Sequence, residues 1–213
     1  MLTSAYPWKE MNPMRVLLVD DHALFAQSLS IVLSDFPSIE QFSNIKSVDE
    51  IEAMIEKEKP DILLMDINLG KLSEEDGLLL AQNLLQKYPS QKIVILSGYD
   101  LPVYRKEAKK LGAKGFINKD IEPEELLHIL EAINNGSTYF EKDGVYVEEL
   151  TETEKQVLRM LANGIKRKEI AEQLFMSERT VSNHLQHIFE KLGVSSAVEA
   201  VTKAIQLGYI PPL

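Results

Sequence analysis

Residues 62–66 read ILLMD: four apolar residues in succession, then a carboxylate. A run this short, apolar at every position, is the pattern of a strand buried on both faces. VLLV at 16–19, IVIL at 93–96 and GFI at 115–117 share it, and IEQF at 39–42 is a weaker copy. Between these runs, apolar residues recur at helical spacing over 22–34, 48–57, 77–87, 103–111 and 123–133. Five strand–helix units in alternation predict an α/β doubly wound fold, a five-stranded parallel sheet with helices on both faces.

The alternation stops near residue 135. The segment NNGSTYFEKDG (134–144) is rich in turn residues and lacks periodicity, so a linker is placed at 136–149. From Leu150 onward the period is helical, with helices expected at 152–162, 167–174, 178–191 and 196–207. Thr151-Glu-Thr-Glu154 spells a capping box. Gly164, Gly193 and Gly208 stand where left-handed C-caps are expected. The expected domains are therefore 14–135 and a small all-α domain at 150–213. Residues 1–13 are read as an extension or an upstream start, because Met14 opens the first strand pattern directly.

Charge divides the chain at the same place. Residues 1–148 carry 25 acidic and 15 basic side chains, whereas 149–213 carry eight of each, out of 213 residues with net charge −10. The asymmetry hints at two jobs. The absence of cysteine excludes a disulfide framework, a thiolate zinc site and a cysteine nucleophile. The longest charge-free run, 22–34, is 13 residues, well short of the ~20 that span a membrane. MLTSAYPWKEMNPM at the amino end has no apolar signal core. The expectation is a cytoplasmic protein with no membrane partner.

The polar residues at the strand ends carry the chemistry. Asp20 and Asp21 follow the first run, Asp66 the third, Ser97 the fourth and Lys119 the fifth. In a doubly wound sheet, ligands bind beyond the carboxyl ends of the strands, so these side chains converge. Three packed carboxylates repel unless a cation neutralises them, and Mg²⁺ suits one or two carboxylates plus water. A phosphoryl group accepted by one carboxylate gives an acyl phosphate, with Lys119 and Ser97 each holding a phosphoryl oxygen.

VLLVDDH (16–22), ILLMDIN (62–68), VILSG (94–98) and GAKGFINK (112–119) resemble the response-regulator receiver domain, a flavodoxin-like fold. The resemblance implies Asp66 as phosphoacceptor, Asp21 as direct Mg²⁺ ligand, Asp20 as a ligand through water and the Asn68 carbonyl as the third protein ligand. It implies Ser97 as switch hydroxyl, Lys119 as phosphate-binding lysine and Phe116 as a switch aromatic that turns inward. The run DINLGKLSEEDG (66–77) departs from the family's D-x-x-M-P-x-M-D-G: it lacks the proline and is three residues longer. This sets Glu74, Glu75 and Asp76 beside the site. Asp120 follows Lys119 where many receivers have proline. His22 is read as capping or structural.

In the carboxyl-terminal part, the helix ending near Leu174 is followed by a turn, Phe175-Met176-Ser177, and a second helix that Ser177 is placed to cap. Val181, Leu185, Ile188, Phe189 and Leu192 share one apolar arc of that helix, while Arg179, Ser182, Asn183, Gln186, His187, Glu190 and Lys191 face outward. An amide- and hydroxyl-rich face suits the major groove. The run from LTETEKQVLRMLANG to IAEQLFMSERTVSNHLQHIFEKLGV resembles the LuxR-type helix-turn-helix. Lys166, Arg167 and Lys168 are candidates for backbone phosphates, and Arg179, Thr180, Ser182, Asn183, Gln186, His187 and Lys191 for the rest of the DNA interface. Ser182 stands where lysine is common in the family. His184 and His187 are not read as metal ligands. Val198, Val201 and Ile205 form a stripe on the last helix, where the family has its DNA-bound dimer contact.

The whole chain resembles a NarL/FixJ-type response regulator. That implies phosphorylation by a sensor histidine kinase, a homodimer when phosphorylated, binding to paired half-sites of double-stranded DNA, and control of transcription without turnover of an external substrate. Two rivals are a constitutive dimeric DNA-binding regulator with a scaffold receiver, and an aspartyl-phosphate phosphatase, whose D-x-D-x-T motif Asp66-Ile-Asn68 does not match.

Overall fold

A computed structural model describes residues 13–45, 47–70, 76–99, 101–140 and 149–210. The chain divides into two compact units, Met1–Asp100 with Glu107–Glu141, and Leu101–Lys106 with Lys142–Leu213.

In the first unit, β1 (Met14–Val19), β2 (Ile39–Asn44), β3 (Ile62–Asp66), β4 (Lys92–Ser97) and β5 (Gly115–Asn118) form one parallel sheet in the order β2-β1-β3-β4-β5. The helices are α1 (Ala23–Ser34), α2 (Ile51–Glu58), α3 (Gly77–Lys87), α4 (Pro102–Leu111), of which only residues 107–111 belong to this unit, and α5 (Pro123–Asn134). The burial of the strands follows their composition. Ile62, Leu63, Leu64 and Met65 have no exposed surface, as expected of a strand covered on both faces. β2, at the edge, keeps only half-buried and exposed residues. The helix read from Val48 begins as a short 3-10 turn, Val48–Glu50, capped by Ser47, before α2 proper.

Strand order reverses at β1, with β2 on one side and β3 on the other, so the carboxyl ends of β1 and β3 border the crevice of the fold. Val19 pairs with Met65, Asp66 with Leu96 and Ser97 with Asn118, which brings four strand ends level.

The linker is expected at 136–149. Tyr139, inside 136–149, donates its N–H to the Lys114 carbonyl and accepts from the Phe116 N–H, each at 2.9 Å. The free edge of β5 leaves backbone groups unpaired, and this short bridge satisfies some of them while the Tyr139 ring packs on the core. Residues 1–12, the linker stretch 141–148, and Glu74 and Glu75 of the longer loop lie outside the described residues.

The second unit holds α6 (Glu152–Ala162), α7 (Arg167–Gln173), α8 (Glu178–Leu192) and α9 (Ala197–Leu207). Thr151 and Glu154 make both bonds of the capping box. Gly193 adopts φ 64 at the end of α8, a left-handed cap that a side chain resists. Val157, Leu158, Ile170, Val181, Leu185 and Ile188 build the core between the helices. Among the described residues, no helix is long and apolar enough to cross a membrane.

Candidate functional site

Asp66 ends β3, and its backbone continues into Ile67, whose N–H donates to the Leu96 carbonyl at 3.2 Å. Lys119 follows β5 and is tied to the end of β4 by its own N–H, 2.9 Å from the Ser97 carbonyl. Two sheet-edge anchors thus fix the acid and the ammonium before any side chain acts.

The side chains then meet. Lys119 Nζ lies 2.8 Å from Asp20 Oδ2 and 2.7 Å from Asp66 Oδ2. The two carboxylates are almost wholly buried, at 0% and 2% side-chain exposure. Asp20 turns its other oxygen to the His22 backbone N–H at 2.8 Å. Burial pushes the Asp66 carboxyl above its ordinary range; Lys119 pulls it down and the Asp20 charge pushes it further up. The face of Phe25 lies 5.2 Å from Lys119 Nζ and favours the ammonium there.

His22 was expected to cap or brace α1. It occupies the N-cap position but makes no side-chain cap bond. Its ring faces the acids instead, with Nδ1 2.8 Å from Asp21 Oδ1, 3.1 Å from Asp20 Oδ1 and 3.7 Å from Asp66 Oδ2. Ligand atoms of Asp20, Asp21, His22 and Asp66 all lie within 4.8 Å of one another. Three carboxylates so close exceed the single charge of Lys119, and an oxygen-rich set of this kind fits a hard divalent cation such as Mg²⁺.

Ser97 is buried at the end of β4, but its hydroxyl is engaged in the following turn. It donates to the Tyr99 carbonyl at 2.7 Å and accepts the Tyr99 N–H at 3.0 Å. Phe116, expected to turn inward on phosphorylation, is already buried.

Gly77 was quoted only as the end of the longer loop, and its role comes from packing. Its N–H donates to the Ile67 carbonyl at 2.8 Å, and a Cβ there would stand 1.8 Å from the Asp66 carbonyl oxygen. Only glycine permits this approach. The Asp76-Gly77 pair at a helix start was the available signal, since Asp76 caps α3 by accepting the Leu79 N–H at 2.9 Å.

In the second unit, Ser177 caps α8 by accepting the Thr180 N–H at 3.1 Å, and its hydroxyl lies 2.8 Å from that of Thr180. Arg179, Asn183, Gln186 and His187 are exposed, Thr180 and Ser182 half-buried. Ser182 donates to the Glu178 carbonyl and Gln186 to Glu190, at 2.9 and 3.0 Å. Lys166, Arg167 and Lys168 are exposed at the start of α7.

Lys191 departs from the expected DNA face. Its Nζ lies 2.8 Å from Glu154 Oε2 and donates to the Glu149 carbonyl at 3.1 Å. Glu154 is the inner residue of the capping box and buried. Burial works to raise its carboxyl, but Lys191 and the Thr151 N–H outweigh it and hold the group below its usual range. A buried carboxylate needs a cation, and Lys191 is that cation. On α9, Val198 is exposed and Val201 and Ile205 half-buried. His184 and His187 belong to no cluster able to hold a metal among the described residues.

Comparison with known proteins follows the same division. Residues 16–131 match the response regulator receiver domain, and residues 148–204 match the bacterial regulatory proteins of the luxR family. The transcriptional regulatory protein MctR of Rhizobium johnstonii is 32% identical over 94% of this chain and 97% of its own length. The uncharacterized transcriptional regulatory protein YxjL of Bacillus subtilis is 31% identical over 93% of this chain and 98% of its own. A structure of RcsB from Salmonella enterica serovar Typhimurium bound to a promoter has TM-score 0.68 at 23% identity, covering 90% of this chain and 98% of that one, and shares the fold.

Proposed function

The chain belongs to the transcriptional response regulators with a LuxR-type helix-turn-helix, and on that premise we propose that phosphoryl transfer to Asp66 switches its binding to DNA. The observation that carries the proposal is Asp66 itself. It is a buried carboxylate at a strand end, 2.7 Å from the Lys119 ammonium and grouped with Asp20 and Asp21.

An oxygen of Asp66 attacks the phosphorus of a phosphohistidine on a partner kinase. The new P–O bond replaces the P–N bond, and the electron pair returns to the imidazole of the kinase. Positioning and charge neutralisation supply most of the catalysis in such a transfer. Lys119 holds one phosphoryl oxygen, and the Ser97 hydroxyl leaves its bond to the Tyr99 carbonyl to hold another. Asp20, Asp21, Asp66 and the Asn68 carbonyl are the residues that would hold Mg²⁺, which when bound screens the charge of the incoming group. Water later returns the carboxylate by hydrolysing the acyl phosphate.

The readout is dimerisation through the receiver and through Val198, Val201 and Ile205 of α9. Two recognition helices then engage paired half-sites of double-stranded DNA. Lys166, Arg167 and Lys168 meet phosphates, and Arg179, Thr180, Ser182, Asn183, Gln186 and His187 meet base edges and the groove wall. Residues 149–213 have no net charge, so their phosphate term is modest and paired binding supplies much of the affinity. The expected domains are 14–135 and 150–213, in a cytoplasmic protein.

Light scattering after size exclusion tests this, on wild type and Asp66→Ala, each with and without Mg²⁺ plus beryllofluoride. A monomer-to-dimer shift in wild type alone is the expected result. Failure of wild type to bind beryllofluoride sinks the switch and leaves a constitutive DNA-binding regulator.

A further inference from the structure

Among the described residues, the most exposed of the large apolar side chains is Phe175, at 97%. It lies in the turn between α7 and α8, and its φ is +52. Both features run against the stability of the fold. Asn, Asp and Gly fill the left-handed region with less strain than an aromatic residue. A phenyl ring left in water contributes no burial. The turn does not ask for it either. Phe175 donates its N–H to the Glu172 carbonyl at 3.3 Å and Met176 donates to the Ala171 carbonyl at 2.9 Å, bonds that any residue but proline makes. Met176, not Phe175, packs on the core. A strained, exposed aromatic that the fold does not use points to a contact outside the chain.

The place of the ring says which contact. Ser177, two residues on, is the cap of α8. Two residues span at most about 7 Å, so the ring travels with the amino end of the recognition helix. Glu172 and Glu178, both exposed, flank Phe175 three residues away on either side. These carboxylates disfavour a phosphate neighbour and leave a neutral one. In the major groove the neutral apolar feature is the C5-methyl of thymine, a known partner of phenyl and other apolar side chains.

We propose that Phe175 packs on a thymine C5-methyl in each half-site and makes the protein prefer thymine there. The inference rests on the DNA-binding reading above.

The full-length protein, with Mg²⁺ and beryllofluoride, is first used to select duplexes from a random-sequence pool. Fluorescence anisotropy then measures the selected duplex against wild type, Phe175→Asn and Phe175→Leu. Each thymine of the half-site is replaced in turn by deoxyuridine, which removes only the methyl. One replacement is expected to weaken wild type by about fivefold and to leave Phe175→Asn unchanged. Phe175→Asn binds the thymine duplex about tenfold more weakly, while its thermal midpoint holds or rises because Asn suits the left-handed turn. Phe175→Leu keeps part of the methyl effect. Wild-type affinity in Phe175→Asn overturns the proposal. So does a loss that is equal for thymine and uracil at every position. A wild type that enriches no sequence overturns the DNA-binding reading itself, and this inference with it.

Discussion

Replacing Lys119 with methionine keeps the stem of the side chain and removes its charge. The ammonium lies 2.8 and 2.7 Å from two carboxylate oxygens on side chains that are at most 2% exposed. At an effective dielectric of about 20, each contact is worth roughly 6 kcal/mol of raw attraction. Desolvation of the three groups offsets most of that sum. What the substitution leaves is Asp20 and Asp66 facing each other without a cation, and removing one partner from a buried pair costs about 3–5 kcal/mol. With a urea slope of about 2 kcal/mol/M, the unfolding midpoint should fall by about 2 M at pH 7. Burial already raises the Asp66 carboxyl, and loss of Lys119 raises it further. A carboxyl raised in the folded state destabilises as pH climbs through its raised value, so the deficit should shrink on going from pH 7 toward pH 4.5. Mg²⁺ at about 100 times its Kd returns roughly 2.7 kcal/mol. Urea unfolding followed by circular dichroism, at both pH values and with and without Mg²⁺, measures all three effects. A variant as stable as wild type at pH 7, or a deficit unchanged at pH 4.5, would refute the charge-balance reasoning.

Other substitutions probe the remaining geometry. Asp66→Asn should raise stability by about 1 kcal/mol at neutral pH, because it relieves a buried charge; the gain should fade in acid as the wild-type carboxyl takes up its proton, which a pH series of thermal midpoints will show. Gly77→Ala puts a methyl 1.8 Å from the Asp66 carbonyl oxygen, so a loss of about 3 kcal/mol and of beryllofluoride binding is expected; a normal midpoint would mean that the loop yields freely. Lys191→Met should cost about 2 kcal/mol by stranding Glu154, and the loss should diminish as pH falls through the lowered carboxyl of Glu154. An unchanged melting curve with weakened DNA binding would return Lys191 to the DNA face.

The sequence alone determined the two-part architecture, because the strand and helix periods are local properties of the chain. ILLM and its three counterparts are runs whose composition suits only burial on both faces, and the sheet buries them so. The polar residue after each run was also legible, since a parallel sheet aligns its carboxyl ends. Thr151 with Glu154, and Ser177, announced their caps because a cap bond spans only three residues.

What only the tertiary structure decided are contacts between residues far apart in the chain or close approaches of backbone. Lys191 and Glu154 are 37 residues apart, and nothing in α8 marks its lysine as a partner for α6 rather than for DNA. Tyr139 joins the edge of β5 because that edge has unpaired backbone groups, a fact of sheet order and not of composition. Gly77 is required by the Asp66 carbonyl across a loop of ten residues. His22 turns to the acids through a side-chain rotation that its position in the sequence leaves open. Sequence period fixes which face a residue takes; the fold decides what it meets there.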